Sequence, residues 1–225
     1  MSGYRLPAPQ GAWIDRARSL RFQFNGREVT GFVGDTAASA LLAQGIVHVG
    51  RSFKLHRPRG IFSSGVEEPT GLLDIGTGAA RTPNTRATDV AAQNGLVAAT
   101  GNAWPSLEFD LAALSSRFAA LLPAGFYYKT FMWPHWHRFE PTIRRMAGLG
   151  VAADGPDPDR YDQVSRQVQV LVVGAGEAGI TAALAAARSG QRVLLVDGAA
   201  RLEERCAARL PELARAGVEV QLRCT

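Results

Sequence analysis

Leu20, Phe22 and Phe24 alternate with polar neighbours, and after Asn25-Gly26 an apolar run returns from Val29 to Val33. A period of two marks a strand with one buried face, and Asn-Gly favours a two-residue type I′ turn, so a β-hairpin is predicted here. The period then becomes helical. In TAASALLAQ (36–44), Ala38, Leu41 and Leu42 share a face, with Asp35 at the capping position and Gly45 at the terminating one. Short apolar runs at 46–49 and 72–75 read as further strands. Hairpin, helix, then strands is the order of a β-grasp, ferredoxin-like domain, assigned to residues 19–100. Residues 1–18, with Pro7 and Pro9 against a helix, form an extended lead.

Residues 101–165 read as an aromatic-rich helical connector and linker. Trp104, Phe109, Phe118, Phe126, Tyr127, Tyr128, Phe131, Trp133 and Trp136 fall here, helices are predicted at 110–121 and 138–148, and GPDPDRYD (155–162) is rich in turn formers. Aromatics at such density are expected to fill a core or an interface. His135 and His137 have no acid or cysteine at ligand spacing, so no metal site is assigned.

From residue 166 the pattern changes again. Four apolar β-formers, Val170 to Val173, run into Gly174-Ala175-Gly176-Glu177-Ala178-Gly179, then an alanine-rich helix and a second strand ending in Asp197. A GxGxxG in this setting is a dinucleotide-binding turn: Gly174 permits the bend, Gly176 lets backbone approach a pyrophosphate, and Gly179 lets helix and strand pack closely. The helix start aims N–H groups at the phosphates. Asp197 would accept from a ribose hydroxyl of NAD or FAD and repel the 2′-phosphate of NADP, a preference that Arg201 could weaken by folding back. A further helix at 203–216 and a strand at 218–222 give the first half of a Rossmann domain, truncated at 225, with an unpaired apolar edge on strand 170–173. The predicted class is thus α+β followed by α/β.

Composition narrows the function. The chain has 225 residues, 46% hydrophobic, and no apolar run long enough for a membrane span; its start lacks a secretory core, so a cytoplasmic location is expected. The net charge of +5 is spread along the chain, and the basic stretch RSFKLHRPRG (51–60) is read as a subunit contact or solvated loop, with no nucleic acid expected. Two cysteines, Cys206 and Cys224, provide neither a disulfide framework nor a four-ligand metal site.

Several runs together, GRSFKLHRPRGI (50–61), VEEP (66–69), PNTRAT (83–88), NAWPSLEFD (102–110), AGFYYKTFMWP (124–134) and DPDRYD (157–162), resemble the N-terminal part of the alpha subunit of heterotetrameric sarcosine oxidases. The resemblance implies an assembly that oxidatively demethylates sarcosine to glycine, with hydrogen peroxide and a one-carbon unit passed to tetrahydrofolate. It implies beta, gamma and delta partner subunits, NAD at the glycine turn of this chain, FAD in the beta subunit, and covalent FMN between alpha and beta. The NAD site then falls on Gly174, Ala175, Gly176, Glu177, Ala178, Gly179 and Asp197, with no catalytic residue on this chain. Gly198 stands where the family usually has a second acid.

Two departures shape the expectation. Cluster-bearing relatives place cysteines in the loop after the PRG turn, whereas PRGIFSSGVEEP has serines, so the first domain is expected to be a cluster-less β-grasp scaffold, and no iron-sulfur cluster is expected. Arg57, Arg59 and Arg86 are left for folding or subunit docking. Alpha subunits of this family are also several times longer, so the chain reads as a fragment, a frameshifted product or one piece of a split subunit. The alternatives are an alpha-type subunit of another amine, opine or cyanide-forming dehydrogenase, and a non-catalytic docking fragment.

Overall fold

The computed structural model describes residues 4–121, 125, 131–148, 150–158, 160–199, 201–202 and 204–224. The chain divides into two compact units, 1–159 and 160–225, each considered by itself.

In the first unit, β1 (Asp15–Phe24) and β2 (Arg27–Val33) form an antiparallel hairpin with Phe22 opposite Val29. Asn25 and Gly26 both take positive φ, 49° and 76°, as the type I′ turn requires. α1 (Ala37–Ala43) follows, its apolar face of Ala37, Ala38, Ala40 and Leu41 wholly buried. β3 (Gly50–Arg51) pairs with β4 (Pro58–Arg59), while residues 46–49, expected to be a strand, are irregular. β5 (Leu72–Ile75), β6 (Thr82–Arg86) and β7 (Val97–Thr100) complete a five-stranded sheet ordered β2-β1-β7-β5-β6, in which β1 and β7 run parallel. Leu20, Phe22, Phe24, Val29, Leu41, Leu73 and Ala98 make its core. Each of the larger side chains adds about 1.5–3 kcal/mol by leaving water.

The helix cap differs from expectation. Thr36 caps α1 reciprocally with Ser39, and Asp35 instead receives both Arg5 guanidinium nitrogens, at 3.0 and 2.7 Å, with the Phe32 N–H at 2.8 Å and the Ser39 hydroxyl at 2.7 Å. Arg5 also lies 5.1 Å from the Phe32 ring centroid. The lead is therefore strapped to the domain through one buried carboxylate.

Beyond β7, residues Leu111–Leu121 wind as a 3₁₀ helix, and α2 (Glu140–Ala147) ends at Gly148 in a left-handed conformation. The aromatics of this region do not all pack inward: Trp104, Phe109 and Trp133 are 68, 64 and 84% exposed. Phe131 and Phe139 do meet, with ring centroids 5.1 Å apart. Phe126, Tyr127 and Tyr128 lie outside the described residues.

The second unit is a three-stranded parallel sheet ordered β10-β9-β8, from β8 (Val170–Val173), β9 (Val193–Asp197) and β10 (Glu219–Leu222). α3 (Glu177–Arg188) links β8 to β9 and buries Ile180, Ala183 and Leu184, a helical spacing, in a core with Val193 and Leu195. The helix expected at 203–216 is two pieces, α4 (Glu204–Ala207) and α5 (Leu210–Arg215), with Pro211 in the first turn of the latter, where a missing N–H costs nothing. β8 pairs only with β9 among the described residues; Val170 and Val172 face the core, while Leu171 and Val173 are exposed.

Candidate dinucleotide-binding site

The residues singled out by the GxGxxG spacing meet at the C-terminal ends of β8 and β9. Gly174 has φ 98°, which L side chains rarely adopt, and its N–H reaches the Val196 carbonyl at 2.8 Å, fixing where the chain leaves the sheet. Ala175 is buried, whereas Gly176, Glu177 and Ala178 are exposed. A Cβ on Gly176 would meet nothing within 4 Å, so space is open beside its backbone. A Cβ on Gly179 would lie 1.8 Å from the Gly174 carbonyl oxygen, a contact no side chain survives. The two glycines thus do different things: one leaves room, the other permits close packing.

α3 has Gly176 as its N-cap and so no side-chain cap, leaving its first turn available to an anion. Asp197 is half-buried beside it. Its Oδ2 accepts from the Ala175 N–H at 2.6 Å and its Oδ1 from the Ala199 N–H at 2.8 Å. The carboxylate expected to meet a ribose therefore also clamps the glycine turn to the end of β9, a role that spacing alone does not reveal. Each oxygen keeps acceptor capacity beyond these bonds. Arg201 is exposed and forms no ion pair among the described residues. The open Gly176 backbone, the uncapped helix start and the carboxylate beside them fit the adenosine diphosphate half of a dinucleotide.

Two further polar sites were not foreseen. Glu68 is buried at the centre of the loop after the PRG turn and accepts from the N–H groups of Phe62, Ser63, Thr70 and Gly71 at 2.6–2.7 Å, and from the Thr70 hydroxyl at 3.0 Å. Burial alone would raise its pKa, but these backbone donors outweigh it and bring the group from 4.5 down to about 2. His56 and Asp110 form a buried pair at 2.7 Å. Among the described residues no group of three or more His, Cys, Asp or Glu could hold a metal ion, and no helix is long and apolar enough to cross a membrane. His135 and His137 are exposed.

Comparison with known proteins finds similarity in both units. Residues 17–103 match the 2Fe-2S iron-sulfur cluster binding domain, and residues 169–202 match the FAD dependent oxidoreductase family. A stretch similar to cluster-binding domains thus precedes one similar to FAD dependent oxidoreductases. The particular match is to sarcosine oxidase subunit alpha, as the sequence resemblance anticipates. The subunit from Rhizobium meliloti is 52% identical over 200 residues, covering 88% of this chain and 20% of that protein. The subunits from Corynebacterium sp. strains P-1 and U-96 are 39 and 36% identical, covering 87 and 86% of this chain and 16% of each of theirs. The chain thus matches a fragment of the alpha subunit, spanning about a fifth of the length of the first of these relatives. Among solved structures, L-proline dehydrogenase from P. horikoshii aligns with 99% of this chain and 36% of its own, at 15% identity and a TM-score of 0.48.

The first of these matches corrects the expectation of a cluster-less ferredoxin-like fold, and with it the expectation that no iron-sulfur cluster is involved: residues 17–103 group with cluster-binding domains. The expectation rested on thiolates alone. Both cysteines of the chain, Cys206 and Cys224, lie outside the matched residues, whereas the match spans the hairpin, α1 and the strands and loops of the first sheet. Residues 17–103 themselves supply no thiolate ligand for such a cluster.

Proposed function

We propose that this chain supplies the dinucleotide-binding opening and subunit contacts of a sarcosine oxidase-like flavoenzyme assembly. The observation that carries the proposal is the turn from Gly174 to Gly179, uncapped at the start of α3, open beside Gly176 and flanked by the Asp197 carboxylate. In this reading the turn is the start of a Rossmann domain. The uncapped backbone N–H groups at the helix start hold the pyrophosphate of NAD, and Asp197 accepts from the adenine ribose while excluding a 2′-phosphate. Ala175 is held in place by Asp197, so the ribose contact and the shape of the turn are coupled. When bound, the dinucleotide supplies hydride acceptance; the residues of this chain bind and orient it.

FAD in the same place is the second reading, favoured by the family match over residues 169–202. The two cofactors share their adenosine diphosphate half, and the turn addresses that half only. In keeping with the names of the relatives, the substrate of the assembly in this reading is sarcosine.

Isothermal titration of the 225-residue chain with NAD, NADP and FAD from micromolar to millimolar tests this. Binding of NAD or FAD with NADP weaker is expected, and the tighter of the first two decides between the readings. No heat with any of the three overturns the nucleotide assignment.

A further inference from the structure

Two loops that the dinucleotide site does not use are fastened to each other by buried polar contacts. His56, with a left-handed backbone at φ 49°, reaches Asp110 at 2.7 Å, and both side chains are out of solvent. Arg51 donates through Nε to the Leu107 carbonyl and through a terminal nitrogen to the His56 carbonyl, each at 3.1 Å, and its Nε lies 3.8 Å from the Asp110 carboxylate. The Ser115 hydroxyl reaches the Lys54 carbonyl at 3.3 Å. Residues 51–59 and 104–115 are thereby held side by side. Burying charge to do so costs several kcal/mol before its pairing repays it, an investment that a pair of merely solvated loops does not require.

These fixed loops expose apolar bulk. Phe53, Trp104, Phe109 and Leu114 are 64, 68, 64 and 52% exposed. Arg57 and Arg59, on the first of these loops, are exposed and form no ion pair among the described residues. The acids of the second loop do not neutralise them: Glu108 is engaged by Arg27 at 3.0 Å, and Asp110 is buried. Aromatic residues and arginine are the types that carry binding energy at protein interfaces, and loops already fixed lose less entropy on association.

We propose that loops 51–59 and 104–115 form a docking surface for a different protein subunit, one that presents carboxylates around an apolar socket. A second copy of this chain is a poor occupant, because a two-fold contact brings the same unpaired arginines together and the chain already carries +5. The proposal rests on the reading of the chain as one subunit of an assembly.

The test is co-purification of the full chain with the beta, gamma and delta subunits of a sarcosine oxidase-like complex, followed by hydrogen exchange. Protection of 51–59 and 104–115 in the complex is expected. The pair Arg57→Glu and Arg59→Glu, and separately the pair Phe53→Ala and Trp104→Ala, should weaken association at least tenfold with thermal unfolding unchanged, since all four side chains are exposed, and the wild-type affinity should fall with added salt. A complex whose protection lies elsewhere overturns the surface and leaves the subunit reading standing. No complex with any of the three subunits overturns both. Protection of the same loops in the chain alone, with doubled mass by light scattering, assigns the surface to a second copy, and equal binding of a short DNA duplex assigns it to nucleic acid; either result overturns the proposal.

Discussion

The Asp197 carboxylate accepts the Ala175 N–H at 2.6 Å, joining the tip of β9 to the middle of the glycine turn. A charge-assisted bond of this length makes the acid a part of the turn's architecture as well as a ligand for a ribose.

Asp197→Asn tests both roles. The amide keeps an acceptor oxygen but loses the charge, so the turn is held less firmly, by about 1–2 kcal/mol. NAD or FAD affinity should fall about tenfold, a loss of about 1.4 kcal/mol, and discrimination against NADP should shrink. Calorimetric titration with the three nucleotides, beside a thermal melt, reads both effects.

Gly176 and Gly179 should separate under substitution by alanine. At Gly176 nothing lies within 4 Å of the new methyl group and φ is −73°, so the fold should keep its melting temperature while dinucleotide affinity drops at least tenfold. At Gly179 the methyl group would lie 1.8 Å from the Gly174 carbonyl oxygen, so a stability loss above about 2 kcal/mol is expected along with loss of binding. Urea unfolding and titration of the two variants side by side check the contrast.

Glu68 makes the first unit acid-sensitive in a defined window. Its pKa is lowered from 4.5 to about 2 in the folded chain, so the folded state favours the carboxylate. The stability this gives is fully present above the unfolded value of 4.5 and is lost as pH falls toward about 2, on the order of 3 kcal/mol in all. Glu68→Gln should lower stability at neutral pH and flatten the dependence between pH 5 and pH 2, as measured by urea midpoints across that range.

Arg5→Ala should destabilise the first unit by about 3 kcal/mol, because it leaves the buried Asp35 carboxylate with only the Phe32 N–H and the Ser39 hydroxyl. The companion Arg5→Ala/Asp35→Asn should recover part of the loss, since the uncompensated charge is gone. Chemical denaturation of the single and double variants measures it.

The residues differ in how much they disclosed before folding. Alternating Leu20, Phe22 and Phe24 with Asn25-Gly26 announce the hairpin because strand period and turn chemistry are local. The glycine turn is legible for the same reason. Asp35 was legible only as an acid before a helix; its partner, Arg5, sits 30 positions away and nothing in the spacing connects them. Glu68 stands in a run that resembled a family without suggesting a task, since its donors converge only once the loop has closed. The serines of the loop after the PRG turn disclosed too little for the opposite reason: one side-chain type is a small part of the pattern by which residues 17–103 match cluster-binding domains.

The parallel pairing of β1 with β7 has a consequence for how the first unit is made. The hairpin and α1 can form from neighbouring residues as they leave the ribosome, but the other edge of β1 finds its mate only when the polypeptide has reached β7, where Val97 and Ala98 pair with Gln23 and Phe24. At about 5–20 residues per second, this leaves the apolar hairpin waiting for several seconds with one side open, the interval in which a nascent strand is most exposed to wrong partners. Translation speed across residues 34–96, which contribute no strand to either side of β1, therefore bears directly on how much of the chain reaches its native sheet.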